Sequence, residues 1–347
     1  MNQFDYHKTL SKLMVPEVMD AVSAVHEYRG KQDLYLATKP ETLEKLCEVA
    51  KIQSTASSNR IENIKTSDVR LRALMLDKAE PKNRDEREIA GYRHVLDTIH
   101  SSYPHIPITP SVILQLHRDL YQSLNTSHAG HWKDSDNAIV EYDTSGNAIT
   151  RFVPTSAAAT PGAVESLCDA YRNALDDGVY DPLLVCALFV FDFVSIHPFI
   201  DGNGRMSRLL TLLLLYKNNY LVGRYVSVEK MIEETKETYY EALAASSRNW
   251  HNGENDYLPF VSYLLGVVLA CYKELDKRML IADGASGEET VWQVFETILG
   301  AASKREIADA CPTISPRTVE RALQSLLAQG KIEKVGAARA TKYRRVW

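Results

Sequence analysis

His197-Pro198-Phe199-Ile200-Asp201-Gly202-Asn203-Gly204-Arg205-Met206-Ser207-Arg208 decides how the rest of the chain is read. Before it runs an apolar stretch, Leu183 to Ile196, interrupted by Asp192; after it comes another, Leu209 to Tyr216. The pattern predicts a buried helix, a tight Gly-rich turn and a second buried helix. Gly202 and Gly204 permit positive φ and let a ligand approach the backbone closely. The free N–H groups that open the second helix form an anion site. Arg205 and Arg208 stand three apart, so they are expected on one face of that helix. Cations in a first helical turn oppose the helix dipole; two of them there imply a more negative neighbour, and a polyphosphate fits.

At these residues the chain resembles the Fic family, whose signature is His-Pro-Phe-x-(Asp/Glu)-Gly-Asn-Gly-Arg-x-x-Arg, with every fixed position present. The resemblance covers roughly residues 40 to 270 and implies a mainly α fold, a Fic-type helical bundle with a short β-hairpin flap. It also implies a protein adenylyltransferase, moving AMP from ATP to a Tyr, Ser or Thr hydroxyl of a target protein. His197 would be the general base, a role that an imidazole near its ordinary pKa of about 6.5 suits at neutral pH. Asp201 would hold Mg²⁺ (or Mn²⁺) between the α- and β-phosphates. Gly202, Asn203 and Gly204 would cradle phosphate, with Asn203 donating to it. Arg205 would face the pyrophosphate and Arg208 the γ-phosphate, with Met206 and Ser207 counted in the same ATP-binding stretch. Pro198 and Phe199 are expected to fix the loop on the core.

Upstream, the small polar run Ser54 to Asn63 reads as a helix junction, with Ser57 or Ser58 capping the next helix. Within it, Ser58-x-x-x-Glu62-Asn63 resembles the inhibitory motif of the same family, (Ser/Thr)-x-x-x-Glu-(Gly/Asn). That implies autoinhibition, with Glu62 paired to Arg208 where the γ-phosphate would sit.

Ile139 to Tyr142 and Ala148 to Phe152 flank the turn-rich Asp143 to Asn147 and predict a β-hairpin. It matches the place of the Fic flap, which receives an extended target segment by strand addition. Residues 138–141, with Ile139 and Val140 foremost, and Lys133 are candidates for contacting nucleotide or substrate. His117 reads as a satisfied core histidine, and His128 and His131 lack other metal-ligand types in register. Tyr239-Tyr240-Glu241-Ala242-Leu243 resembles the family's Tyr-Tyr-x-x-Leu helix, whose aromatic residues hold adenine. Ser247 stands where relatives often carry Asn.

The remaining chain is ordinary in composition: of 347 residues, 45% are hydrophobic and 24% charged, as in soluble globular proteins. Five scattered cysteines, without a C-x-x-C pair, predict neither a disulfide frame nor a zinc site and point to the cytoplasm. Met1 to Tyr6 lacks a secretory signal, and apolar runs such as Val261 to Cys271 are too short to cross a bilayer. Helices are expected from Val15 to Tyr28, through Leu43 to Ala50, across Ile89 to Ile99, from Thr109-Pro110 through Leu124, and from Leu258 to Met279. Residues 77–86 read as an exposed loop. The expected organisation is a helical N-terminal region 1–108 carrying the inhibitory motif, a catalytic core 109–280, a linker 281–288 and a tail domain 289–347.

The net charge of −5 is uneven: from Ser303 to Trp347 ten Lys/Arg face four Asp/Glu. An acidic body with a basic tail points to an anionic partner for the tail. Helices over Val291 to Leu299, Lys304 to Ala310 and from Ser315-Pro316 onward, followed by an alternating Lys331 to Val346 that turns near Gly336, resemble a winged helix-turn-helix. Arg317, Thr318 and Arg321 fall where major-groove readers sit, and Lys334, Arg339, Lys342, Arg344 and Arg345 could meet phosphates. Three further readings stay open from sequence: removal of AMP or transfer of another group at the same site, a nucleotide-sensing DNA-binding regulator, and a tail that binds protein. Homo-oligomer formation is open as well.

Overall fold

Helices α8 (Pro182–Ile196) and α9 (Asn203–Lys217) form the centre of the molecule and are buried on nearly every face; α8 is apolar almost throughout and α9 from Leu209 onward, so both must be covered all round. In this computed structural model, which describes residues 4–76, 79–124, 126–142, 148–284, 286–297, 301–312, 314–336 and 341–346, they pack against each other and are joined at one end by residues 197–202. Helices α1 (Tyr6–Lys12) and α7 (Thr160–Asp176) cover α8. The long α2 (Pro16–Thr38) and α12 (Leu258–Gly284) lie along each other, and α12 also touches α8. On the α9 side pack α3 (Pro40–Ile61) and α5 (Arg84–Ser102), with α4 (Asp68–Met75) and α6 (Pro110–Leu120) against α5. Helix α10 (Val228–Glu234) leans on α3, and α11 (Lys236–Ser247) on α12. One hydrophobic cluster runs from Tyr6 to Met279, so residues 1–108 share a core with 109–280.

Asp192, in the middle of α8, ties this core together. Its Oδ1 accepts from the Trp250 indole (2.7 Å) and the Tyr257 hydroxyl (2.9 Å), and its Oδ2 from the Tyr6 hydroxyl (3.0 Å). Burial pushes its carboxyl up to about 7.

The helix starts follow their caps. Thr109 accepts from the Val112 N–H ahead of Pro110, as the sequence predicts. Elsewhere tertiary packing overrides local signals. The expected junction at residues 54–63 does not exist: α3 runs unbroken to Ile61, with Ser54, Thr55, Ser57, Ser58 and Asn59 all buried inside it. Neither Ser57 nor Ser58 caps a helix. The segment expected to end at Tyr28 continues to Thr38, and α6 stops at Leu120, short of Leu124. Residues 79–83 are a loop, but Glu86 already lies buried in the first turn of α5. Helix α12 is longer than its apolar run: an 18-residue window within Leu258–Met279 has a mean hydropathy of 1.4, enough by length and composition alone to cross a bilayer where the sequence expectation had the run too short, and half of that window is buried in the protein.

Strands β1 (Ile139–Tyr142) and β2 (Ala148–Phe152) pair antiparallel, with Val140 opposite Thr150 and a register irregularity between Ile139 and Val140. The expected turn, Asp143 to Asn147, lies outside the described residues.

The C-terminal part has its own core of Val291, Phe295, Ile307, Val319, Leu323, Leu326 and Ile332. Its order is α13 (Gly287–Thr297), β3 (Ala301–Ser303), α14 (Lys304–Ala310), α15 (Pro316–Ala328), β4 (Ile332–Val335) and β5 (Lys342–Arg345). Helix α12 reaches Gly284 and α13 begins at Gly287, so the stretch expected as a linker, 281–288, is helical over 281–284 and 287–288. The sheet order β3-β5-β4 includes a strand, β3, that three residues are too few to announce by alternation. Of the tail residues singled out by sequence, Arg317 and Arg321 are exposed. Thr318 instead turns toward α13, where a Cβ on Gly287 would come within 2.3 Å of its Cγ2. Arg345 stacks over Trp292 at 5.0 Å, and Arg339 lies outside the described residues.

Candidate active site

Helix α8 ends because His197 takes the left-handed conformation, φ 52° and ψ 60°. That conformation is uncommon for a residue with a Cβ, and it turns the chain into the loop. Its N–H still closes the helix on Phe193 O (3.1 Å). The ring Nδ1 lies 3.3 Å from Val194 O, a carbonyl that can only accept, so Nδ1 carries the proton and Nε2 keeps its lone pair. Burial pushes the imidazole down to about 4, leaving it neutral at neutral pH.

The loop is braced from several sides. Phe199 N–H donates to Asn203 Oδ1 (2.9 Å), and Asn203 Nδ2 donates back to Phe199 O (2.8 Å). Phe199 stacks on His117 with ring centroids 3.7 Å apart. His117 accepts at Nδ1 from the Gly130 N–H (3.0 Å), so its Nε2–H donates to Asp201 O (3.1 Å). It is a satisfied core histidine, as its sequence setting predicts. Lys133 donates from Nζ to Asn137 Oδ1 (2.8 Å) and Ile196 O (3.3 Å), and from its backbone N–H to Pro198 O (2.9 Å). Lys133 and the Asn203 side chain therefore hold the loop's shape, where the sequence reading had them facing nucleotide.

Gly202 opens α9 at φ 84°, and a Cβ there would lie 2.9 Å from the Tyr121 hydroxyl. Beyond it the two arginines part company. Arg205 is 1% exposed and is spent on Glu88 (2.7 Å) and on donating to the Tyr121 hydroxyl (2.8 Å), with Asp201 at 3.8 Å. Arg208 points the other way: Nε donates to Ser58 Oγ (2.8 Å), and Nη2 to Ser58 O (2.9 Å) and Glu62 Oε1 (2.8 Å). The expected shared face is thus split between two buried clusters.

Glu62 ends α3, and Asn63 takes φ 62° behind it so that the Ile64 N–H reaches Asn59 O (2.9 Å). A left-handed residue is needed there, which is why Asn suits the position. The carboxylate lies over the first turn of α9: a Cβ on Gly204 would come within 2.1 Å of Glu62 Oε1. A negative group thus occupies the positive end of that helix.

His197, Asn203, Gly204, Arg208 and Glu62 border one cleft of about 210 Å³. Its far wall is Tyr239, Tyr240, Leu243 and Ser247 of α11, and its rim is Ile139, Arg151 and Phe152 of the hairpin. Arg151 donates to Tyr240 O and lies over the Tyr240 ring at 5.4 Å. Of the residues expected at the nucleotide, Asp201, Gly202, Arg205, Met206, Ser207 and Val140 do not border this cleft. Met206 is wholly in the core, Ser207 donates to Gly204 O (2.8 Å), and Val140 faces solvent. Arg151 and Glu88 were not anticipated. Glu88 shares a helical stripe with Tyr92, Val95 and Ile99, and an acid on an apolar stripe was the available signal.

Among the described residues no three His, Cys, Asp or Glu side chains cluster as a metal site. Among the described residues of the loop, Asp201 is the carboxylate suited to a cation. Its side chain is 44% exposed, and it is held below the usual carboxylate range by Arg205, Tyr121 and the Gly202 N–H. One ionised carboxylate fits Mg²⁺, which commonly takes one or two protein ligands and completes its shell with phosphate and water.

Residues 107–215 match the Fic/DOC family. The chain is 35% identical over 125 residues to a Fido domain-containing protein of Dictyostelium discoideum, a match covering 35% of this chain and 80% of that protein. It is 27% identical over 252 residues to the protein adenylyltransferase Fic of Drosophila yakuba, covering 71% of this chain and 43% of the relative. The chain therefore spans less than half the length of that relative. A solved Fic family protein from Desulfovibrio desulfuricans shares the fold with a TM-score of 0.64 at 20% identity, covering 96% of this chain and 97% of that one. A Fic domain containing signaling protein from Bacteroides thetaiotaomicron gives 0.59 at 24% identity, covering 74% and 94%.

Proposed function

The chain belongs to the Fic/DOC family, and on that premise we propose that its cleft transfers AMP from ATP to a hydroxyl of a target protein. One observation carries the reading: a carboxylate already occupies an anion site made by Arg208 and the first turn of α9, next to an imidazole with a free lone pair. The target hydroxyl oxygen attacks the α-phosphorus. A P–O bond forms to AMP, the bond to pyrophosphate breaks, and the hydroxyl proton passes to His197 Nε2. A polyphosphate across the cleft raises the basicity of His197, which burial otherwise depresses. Arg208 and the α9 N–H groups hold phosphate, while Tyr239 and Tyr240 enclose the base. Arg205 acts at one remove, by fixing Asp201 and Tyr121. Asp201 would hold Mg²⁺, which would supply charge neutralisation there. An extended target segment pairs alongside the β1–β2 hairpin.

Glu62 makes the resting protein weakly active. With its carboxylate on Arg208, the γ-phosphate is displaced and the α-phosphate mis-aimed; an ångström of misplacement costs about a hundredfold in rate. The test is incubation with ATP labelled at the α-phosphate. Glu62→Gly protein should transfer label to itself or to a target, and Glu62→Gly/His197→Ala should not. If Glu62→Gly binds ATP and never transfers label, the cleft senses nucleotide without chemistry. Loss of label from a premodified protein, stimulated by Glu62, would identify the reverse reaction.

A further inference from the structure

Helix α15 buries Val319, Ala322, Leu323 and Leu326, and the stripe opposite them is uncovered among the described residues. Arg317, Arg321, Gln324 and Ala328 recur at spacings of four, three and four, and all four are exposed. No acid lies on this stripe. Glu320, the one acid of the helix, is neutralised by Lys304 at 2.7 Å. On the far flank, Glu288 is held by Ser325 and Gln329. The body approaches the tail elsewhere, through α13 and the end of α14: Thr290, Val294, Asp309 and Cys311 share a cleft with Val49 and Lys230. Gly330 (φ 68°) ends α15 and turns the chain into β4–β5, which exposes Lys334 and Lys342 beside the helix.

A thirteen-residue helix is about 20 Å long, and a bare helix of ordinary diameter enters a major groove about 12 Å wide. Its stripe carries the donors suited to base edges there: guanidinium groups for guanine and a carboxamide for adenine. Charge agrees, since the tail is basic on an otherwise acidic chain, which repels a polyanion from the body and draws it to the tail. We propose that the tail binds duplex DNA, with Arg317, Arg321 and Gln324 of α15 in the major groove and Lys334 and Lys342 of the β4–β5 hairpin on the flanking phosphates. The surface is separate from the cleft at His197, and its occupancy is independent of any reaction there.

The test uses the full chain and a fluorescent random-sequence duplex of roughly 30 base pairs, read by anisotropy at about 50 and about 200 mM salt. Wild-type protein should bind in the micromolar range at the lower salt and markedly more weakly at the higher. Arg317→Ala/Arg321→Ala, with an unchanged melting temperature, should bind about tenfold more weakly or worse. Arg172→Ala, which removes an exposed arginine paired with Asp169 on α7, should bind as wild type. Two outcomes overturn the proposal: no wild-type binding at low salt, or a double variant that binds as well as wild type.

Discussion

Gly204 and Glu62 compete for one place. The space where a Cβ on Gly204 would sit is taken by Glu62 Oε1, 2.1 Å away, and Arg208 Nη1 is 3.3 Å off. The obstructing atom is the end of a flexible side chain, so Gly204→Ala can evict Glu62 without distorting the helix. The new methyl then blocks the phosphate approach itself. Glu62→Gly should raise AMP labelling by about tenfold or more, whereas Gly204→Ala should leave it low while keeping a wild-type melting temperature. Equal activation in both variants would mean that the first turn of α9 does not hold phosphate. Gly202→Ala is a different case. At φ 84°, against the Tyr121 hydroxyl, it should lower stability by about 1–2 kcal/mol in urea unfolding.

At the scale of elements, α3 is the part that carries Glu62, and polar contacts pin its C-terminal half to α10 and α11. Ser54 donates to buried Glu229 (2.7 Å), Arg60 pairs with Glu233 (2.6 Å), and Lys236 Nζ donates to Ile61 O (2.8 Å) at the helix end. Arg60 and Glu233 are partly exposed, so each such contact is worth about 0.5–1 kcal/mol. Lys236→Ala or Arg60→Ala should therefore loosen the end of α3 and raise basal AMP labelling about two- to fivefold. Neither change should add to the rate of the Glu62→Gly protein, because both act by freeing that carboxylate. An additive gain measured in the double variant would show instead that α3 affects the cleft by another route.

For the molecule as a whole, buried titrating groups set the response to pH. Burial holds His100 near about 3 and both His117 and His197 near about 4, against an ordinary 6.5. The unfolded chain thus binds more protons there, and the stability these groups contribute is full above pH 6.5 and lost as pH falls toward 4. Asp192 runs the other way: raised from 3.8 to about 7, its contribution is present below pH 3.8 and lost as pH rises through 7. Three imidazoles outweigh one carboxyl, so stability should climb from pH 4 to 6.5 and then dip slightly toward 7. Unfolding free energies across pH 4 to 8 check both parts: Asp192→Asn should remove the dip, and a flat rise would contradict the neutral state of the three histidines.

The sequence by itself determined what is local. Two apolar runs around Gly202 and Gly204 dictate a buried helix, a tight turn and a second helix, and Thr109-Pro110 and Ser315-Pro316 start α6 and α15 as caps require. The hairpin, the satisfied His117 and the apolar stripe of α15 were legible for the same reason, since side-chain periodicity and capping operate within a few residues. What only the tertiary structure decided is which group stands opposite each charge. Two arginines three apart leave α9 in neighbouring directions, yet Glu88 on α5 claims Arg205 and Glu62 on α3 claims Arg208. A buried cation must be paired, and these two carboxylates lie more than a hundred positions away along the chain. The small polar residues 54–59 show the same limit. Alone they read as a helix break, but Glu229 and Arg208, supplied by other helices, satisfy two of those hydroxyls and let α3 carry its carboxylate into the cleft.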